Sequence, residues 1–104
     1  MARKRQLVLT RSAKPGAPAS LGKPREVLES LARFNIAPDG GKKPAAMEVL
    51  FGPGMTVEFP SGQESVTQAM ITVQEEEMAL PVLMRLCKTL GLSMVDLETG
   101  RSFG

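Results

Sequence analysis

The feature that most constrains this chain is the stretch from Val73 to Gly91, which has the pattern of an amphipathic helix with both ends marked. Three glutamates, residues 75–77, stand where a helix dipole favours anions, and Gly91 is typical of a left-handed helix cap. The apolar residues between these ends recur at spacings of three and four, so they predict one broad apolar face. They are Met78, Ala79, Val82, Leu83, Leu86, Cys87 and Leu90. We expect this helix to cover a sheet.

Length and composition restrict the possible functions of this chain more than any motif does. The chain has 104 residues, which is enough for one small domain. It has no His and one Cys, so it lacks the commonest general base and metal ligand, and it can form neither an intramolecular disulfide nor a zinc cage of several cysteines. The sequence therefore predicts a protein that is not an enzyme and that holds no cofactor or metal.

Charge is distributed unevenly along the chain. Residues 1–44 contain ten Lys or Arg and three acidic residues, whereas residues 45–104 contain three and eight, so the two parts carry about +7 and −5. Residues 1–23 have no acid and are interrupted by Pro and Gly, which predicts a flexible basic arm, although Gln6–Thr10 has the alternation of a short strand. Clustered cations attract phosphates, so this arm is the candidate nucleic-acid contact. Its candidate residues are Arg3, Lys4, Arg5, Arg11 and Lys14.

Residues 24–104 are predicted to form one domain. A helix is expected over residues 24–35, because Pro24 suits a first helical turn and the apolar residues after it fall on one face. A mobile linker over residues 36–46 follows, since PDGGKKP is dense in turn formers. The sheet and the long helix then occupy residues 47–104.

Alternation of period two predicts the strands. Met47–Phe51 and Met55–Phe59 flank Gly52-Pro53-Gly54, a sequence that favours a tight reversal, so the two segments should form a hairpin. Strands are also expected over Val66–Val73 and Leu92–Leu97, on either side of the long helix. The predicted fold is α+β, with a small mixed sheet of three or four strands built from a hairpin and a β-α-β unit. One long helix covers it, and a short N-terminal helix follows the disordered basic arm.

No catalytic constellation is visible in the sequence. Three consecutive glutamates on a helix diverge by about 100 degrees per residue, which argues against a metal cluster at residues 75–77. Cys87 falls on the apolar stripe and has no His to activate it, so a buried structural thiol is favoured over a nucleophile. Leu83 and Met84 widen the apolar face of the helix beyond a single seam, which makes them the candidate partner surface.

These patterns favour a small intracellular, cytoplasmic binding or adaptor domain that acts through contacts with a protein partner or with itself. The alternative is a nucleic-acid-associated accessory protein that binds phosphates through the basic arm. No apolar run is long enough to span a membrane.

Overall fold

The computed structural model describes residues 5–11, 21–41, 46–62 and 64–103, which form a small α+β fold of two helices and an antiparallel sheet. The strands are β1 (Arg5–Arg11), β2 (Met47–Gly52), β3 (Met55–Pro60), β4 (Gln68–Val73), β5 (Leu92–Asp96) and the two-residue β6 (Ser102–Phe103). Helix α1 (Pro24–Ala32) lies between β1 and β2 in the chain, and helix α2 (Glu76–Leu90) lies between β4 and β5.

The strand order is β2-β3-β4-β1-β5-β6, and every neighbouring pair runs antiparallel. The prediction of a mixed sheet with three or four strands is therefore wrong. Strands β4 and β5 do run in the same direction on either side of α2, but they are not neighbours. Strand β1 lies between them and is antiparallel to both, so the predicted β-α-β unit is split by a strand from the start of the chain.

Strand β1 also corrects the predicted flexible arm. Leu7 and Leu9 are 0% and 1% exposed, so Arg5–Arg11 supply two core residues to the middle of the sheet. The sequence analysis placed the start of the domain at residue 24, but β1 precedes this residue and belongs to the sheet. The alternation of Gln6–Thr10 indicated a strand. This strand lies inside the sheet, between β4 and β5, and not at an edge. Residues 21–23, the end of the predicted arm, also contact the fold, because Gly22 pairs with Val66. Residues 1–4 and 12–20 lie outside the described residues.

The β2–β3 hairpin follows the prediction. Gly52 pairs with Met55 across a two-residue loop of Pro53 and Gly54. Gly54 has φ of +66°, and a Cβ at this position would lie 2.6 Å from the carbonyl oxygen of Glu75. Glycine is thus required twice, by the left-handed backbone and by the close approach of the hairpin to the chain that enters α2.

Both predicted ends of α2 are confirmed. Glu76 and Glu77 lie in its first turn, and Gly91 caps its end with φ of +68°. The buried stripe, however, is rotated from the predicted centre, because Met78 is 50% exposed. Its buried residues belong to one hydrophobic cluster with the inward residues of the strands and of α1. They are Ala79, Leu83, Leu86 and Cys87.

Helix α1 ends earlier than predicted, at Ala32. The chain reverses at Asn35, which adopts a left-handed φ of +62°, and the Ile36 N–H donates to the carbonyl oxygen of Leu31. Ile36 is fully buried, and Ala37 pairs with Phe51 at the outer edge of β2. The segment predicted as a mobile linker therefore begins as a packed part of the fold, whereas residues 42–45 lie outside the described part of the chain.

Candidate functional site

The predicted nucleic-acid contacts do not form one basic patch in the described part of the chain. Arg5 and Arg11 lie at opposite ends of β1, about 20 Å apart at the rise of an extended strand. Arg5 is held in two ion pairs with acidic residues, so its charge is already compensated. Arg3, Lys4 and Lys14 lie outside the described residues.

Arg5 has a structural role at the end of β1. Its Nε donates to Oδ2 of Asp96 at 2.6 Å, and its Nη1 lies 3.2 Å from Oε1 of Glu76 at the start of α2. Asp96 is 2% exposed, and its Oδ1 accepts from the backbone N–H groups of Glu98 and Thr99. The hydrogen bond from Arg5 lowers the pKa of Asp96 against the opposing effect of burial, and the two backbone donors lower it further. This network ties β1, β5, the following turn and α2 together.

The Asp96 network predicts a pH dependence of stability. Because the folded-state pKa of Asp96 is lowered, its carboxylate stabilises the fold above the unfolded-state pKa, about 3.9, and this contribution is lost as pH falls through the folded-state value. Asp96→Asn should lower the free energy of unfolding at about pH 7 but much less at about pH 3, as measured by urea unfolding. Glu64→Gln, in an exposed turn, is the control and should follow the wild-type pH profile. An Asp96→Asn chain with the wild-type profile would contradict the assignment.

Cys87 is the structural thiol that the sequence predicted. It is 1% exposed within the hydrophobic cluster, and burial raises the pKa of its thiol to about 11. A thiol with this pKa is almost entirely protonated near neutral pH, so it is a poor nucleophile.

Alkylation rates test the burial of this thiol. At about pH 8, Cys87 in the folded chain should react with iodoacetamide at least about a hundredfold more slowly than in denaturing guanidinium chloride, because both access and thiolate fraction are reduced. A cysteine at exposed Thr89 of the same helix, introduced with Cys87→Ala, should react rapidly when folded. Equal rates for folded and unfolded Cys87 would show that the thiol is accessible.

The two residues of the predicted partner surface, Leu83 and Met84, differ in exposure. Leu83 is fully buried in the core cluster, so it offers nothing to a partner, whereas Met84 is 46% exposed. The two side chains point to different sides of α2 because adjacent helical positions are about 100 degrees apart. Met84 alone is not a surface.

A larger, partly exposed surface lies on the sheet, and we call it the open face. On the strands β1 to β5, inward side chains are buried at the centre of the sheet, but none of the outward ones is buried. The open face consists of Gln6, Val8, Thr10, Met47, Val49, Phe51, Thr56, Glu58, Pro60, Gln68, Met70, Thr72, Ser93 and Val95.

An apolar row crosses the middle of the open face. Val8 is paired with Val95 on β5 and with Met70 on β4, and this row continues through Glu58 on β3 to Val49 on β2. The neighbouring rows consist largely of uncharged polar residues. Among the described residues of the open face, Glu58 carries the only charge.

The open face is also uneven in depth. At the end of the sheet where β3 ends and β4 begins, there is a depression of about 420 Å³. Its lining residues include Met47, Pro60, Gln68 and Met70. Val8 borders it from β1. An apolar surface with a depression beside it suits side chains of another protein better than it suits a phosphate backbone.

The described residues contain no cluster of three candidate metal ligands. Among residues 5–11, 21–41, 46–62 and 64–103, no three Cys, Asp or Glu side chains converge closely enough to hold a metal ion. Glu75, Glu76 and Glu77 are all exposed at the start of α2. Neither described helix has the length and apolar character needed to cross a bilayer.

The sequence contained part of the signal for the open face. The alternation of β4 places Gln68, Met70 and Thr72 on one side, and none of these three is buried in the structure. What alternation could not supply was the register that aligns Met70 with Val8 and Val95, because these pairs join residues far apart in the chain.

Comparison of the chain with protein-family models, with curated proteins and with solved structures gives no match. Any functional assignment therefore depends on the physical character of the surfaces described above.

Proposed function

We propose that this chain is a small, non-enzymatic protein-binding domain of the cytoplasm that uses the open face of its sheet to contact a protein partner. The observation that carries the proposal is the apolar row Val95–Val8–Met70, which crosses three adjacent strands and whose side chains are half-buried, not covered. We take α2 to cover the core side of the sheet, as the sequence predicted, so that the side with this row is left for a partner. Contiguous exposed apolar surface with a polar surround is characteristic of protein interaction sites.

The charge of the open face supports a protein partner over nucleic acid. Its described residues include no Lys or Arg, and Glu58 would repel phosphates. Its outward residues include Val, Thr and Met, whose side chains can pack against another apolar surface without desolvating a charge. The alternative, nucleic-acid binding through the basic N-terminal residues, loses support at Arg5, because this side chain is paired with Asp96 and Glu76.

A paired comparison of variants tests the proposed face. Val8→Lys places a charge at the centre of the apolar row, while Thr89→Lys adds the same charge at an exposed position of α2. A specific partner captured by the wild-type chain should be retained by Thr89→Lys and lost by Val8→Lys. Circular dichroism should show that both variants stay folded. If Val8→Lys binds the same partner with unchanged affinity, the open face is not the binding surface.

The nucleic-acid alternative has its own measurement. Binding of the wild-type chain to generic duplex and to single-stranded nucleic acid is compared at two salt concentrations, and the protein-binding proposal predicts no strong salt-sensitive association. A steep loss of affinity with salt, removed when Arg3, Lys4, Arg11 and Lys14 are replaced by Gln, would favour the alternative instead.

A further inference from the structure

We infer that the bond between Asp39 and Gly40 is the site of a spontaneous backbone modification in the folded chain, in which Asp39 converts to isoaspartate through a cyclic succinimide. This site is separate from the open face and does not depend on the proposed function. The chain has one Asn and two Asp whose side chains could react in this way, at positions 35, 39 and 96. The fold leaves Asp39 able to react and protects the other two.

The reaction joins the side chain of Asp39 to the backbone nitrogen of Gly40. This nitrogen attacks Cγ of the protonated carboxyl group, a bond forms between the two atoms, and the carboxyl hydroxyl leaves with the N–H hydrogen as one water molecule. Water then opens the five-membered ring. When it adds at the backbone carbonyl carbon of Asp39, the bond from that carbon to nitrogen breaks, and the chain then runs through Cβ and Cγ as isoaspartate.

Gly40 presents its nitrogen without hindrance. It has no side chain to obstruct the approach to Cγ, and its backbone, with φ of +83°, lies in an exposed bend outside the helices and strands. Within the part of the chain that the structure describes, nothing accepts a hydrogen bond from its N–H. The attack therefore breaks no hydrogen bond of this nitrogen to those residues.

The carboxyl group of Asp39 is held over the same stretch of backbone. It is exposed, and its Oδ1 accepts a hydrogen bond from the N–H of Gly41 at 2.8 Å. This contact turns the side chain toward the residues that follow it, where the nitrogen of Gly40 lies. The same donor stabilises the negative charge that develops on Oδ1 when the nitrogen adds to Cγ.

Asn35 is exposed but is protected through its neighbour. The nitrogen that would attack its side chain belongs to Ile36, which is fully buried. The N–H of Ile36 donates to the carbonyl oxygen of Leu31 at 3.2 Å, within the reversal that follows α1. Ring closure at Asn35 would have to break this hydrogen bond and displace a core residue.

Asp96 is protected directly. Its side chain is 2% exposed, and its two carboxyl oxygens accept hydrogen bonds from Arg5 and from the backbone N–H of Glu98. The nitrogen that would attack it belongs to Leu97, whose N–H donates to the carbonyl oxygen of Gln6. Both reacting groups of this site are thus engaged in the fold.

The modification would change the margin of the open face. Asp39 lines a hollow of about 400 Å³ together with Val49 and Phe51 at the outer edge of β2. Isoaspartate lengthens the backbone by one methylene group beside these residues and converts the carboxyl group that accepts from Gly41 into part of the chain.

Ageing of the intact folded chain at neutral pH and physiological temperature tests the inference. Trypsin releases peptide 34–42, which contains both Asn35 and Asp39, and electron-transfer fragmentation distinguishes isoaspartate from aspartate at each position. We expect isoaspartate to accumulate at Asp39 over the unaged sample, with an intermediate one water lighter, while Asn35 keeps its amide and Asp96 stays aspartate. Asp39→Glu, which would need a six-membered ring, should lose the signal.

Two further comparisons separate the contribution of the fold from that of the local sequence. Gly40→Ala should slow the conversion several-fold, because a methyl group then obstructs the nitrogen; conversion at the wild-type rate would contradict the role given to Gly40. In guanidinium chloride, Asn35 and Asp96 should begin to react. If Asp39 reacts only in the denatured chain, or if Asn35 reacts as fast as Asp39 in the folded chain, the inference is overturned.

Discussion

A chain that begins at Ser12 is expected to lose the cooperative unfolding transition of the intact protein. Its deletion removes β1, which pairs along its length with β4 on one side and with β5 on the other. The loss exposes two new strand edges and leaves the places of Leu7 and Leu9 empty. Burial of each leucine contributes about 1.5 to 3 kcal/mol, and each hydrogen bond of the two ladders contributes about 0.5 to 1.5 kcal/mol. Together these losses are comparable to the whole stability of a domain of this size, about 5 to 15 kcal/mol.

Thermal and urea unfolding, followed by circular dichroism, measure this effect. If residues 1–11 were a flexible arm, their deletion would leave the unfolding transition almost unchanged. Two point variants separate the loss of packing from the loss of length. Leu9→Asp places a charge between buried Ala69 and Met94 and should also abolish the transition, whereas Gln6→Asp is exposed on the same strand and should cost no more than about 1 kcal/mol.

Leu86→Ala should lower the free energy of unfolding by about 2 to 5 kcal/mol, the range measured for large-to-small substitutions in a core. Leu86 is fully buried in the cluster that unites α2, α1 and the strands, so its truncation leaves a cavity. Met84→Ala is the matched control, because it is also in α2 but is 46% exposed, and its cost should be about 0.5 kcal/mol or less. Urea unfolding of both variants provides the measurement. A cost below about 1 kcal/mol for Leu86→Ala would mean that this side of α2 is not packed.

Local signals predicted the elements whose conformation depends on a few adjacent residues. Pro53 and Gly54 suit the turn of the hairpin, and the glutamates and Gly91 suit the two ends of α2. Each of these features is decided within one turn of the chain.

The position of β1 could not be predicted in the same way. This strand is a short segment next to a basic, Pro- and Gly-rich stretch, and it contributes only Leu7 and Leu9 to the core. The edges that accept it belong to β4 and β5, more than fifty residues further along the chain. Local alternation shows that such a segment can form a strand, but only the partners determine where it inserts. The mistaken mixed sheet followed from the same omission, because β4 and β5 become neighbours if β1 is left out.

The prediction of the candidate site had the same limitation. In addition, helical spacing did not correctly locate the buried side of α2. A small rotation of α2 relative to the predicted stripe buries Leu83 and exposes Met78, so a surface assigned from helical spacing alone was partly wrong. The apolar row of the open face depends on three strands that come from distant parts of the sequence. This row arises only when Val8 is aligned between Met70 and Val95.

The insertion of β1 between β4 and β5 is the basis of both the fold and the open face, and backbone proton contacts test it most directly. The N–H of Leu97 donates to the carbonyl oxygen of Gln6, so the backbone groups of Gln6 and Val8 point toward β5. Val8 and Met70 are therefore a closely spaced pair without mutual hydrogen bonds.

The same alternation makes Leu9 and Met94 a closely spaced pair on the other side of β1. A nuclear Overhauser spectrum of the intact chain should show strong contacts between the Hα protons of Val8 and Met70 and between those of Leu9 and Met94. Random-coil shifts over residues 5–11, together with contacts made directly between β4 and β5, would contradict the account.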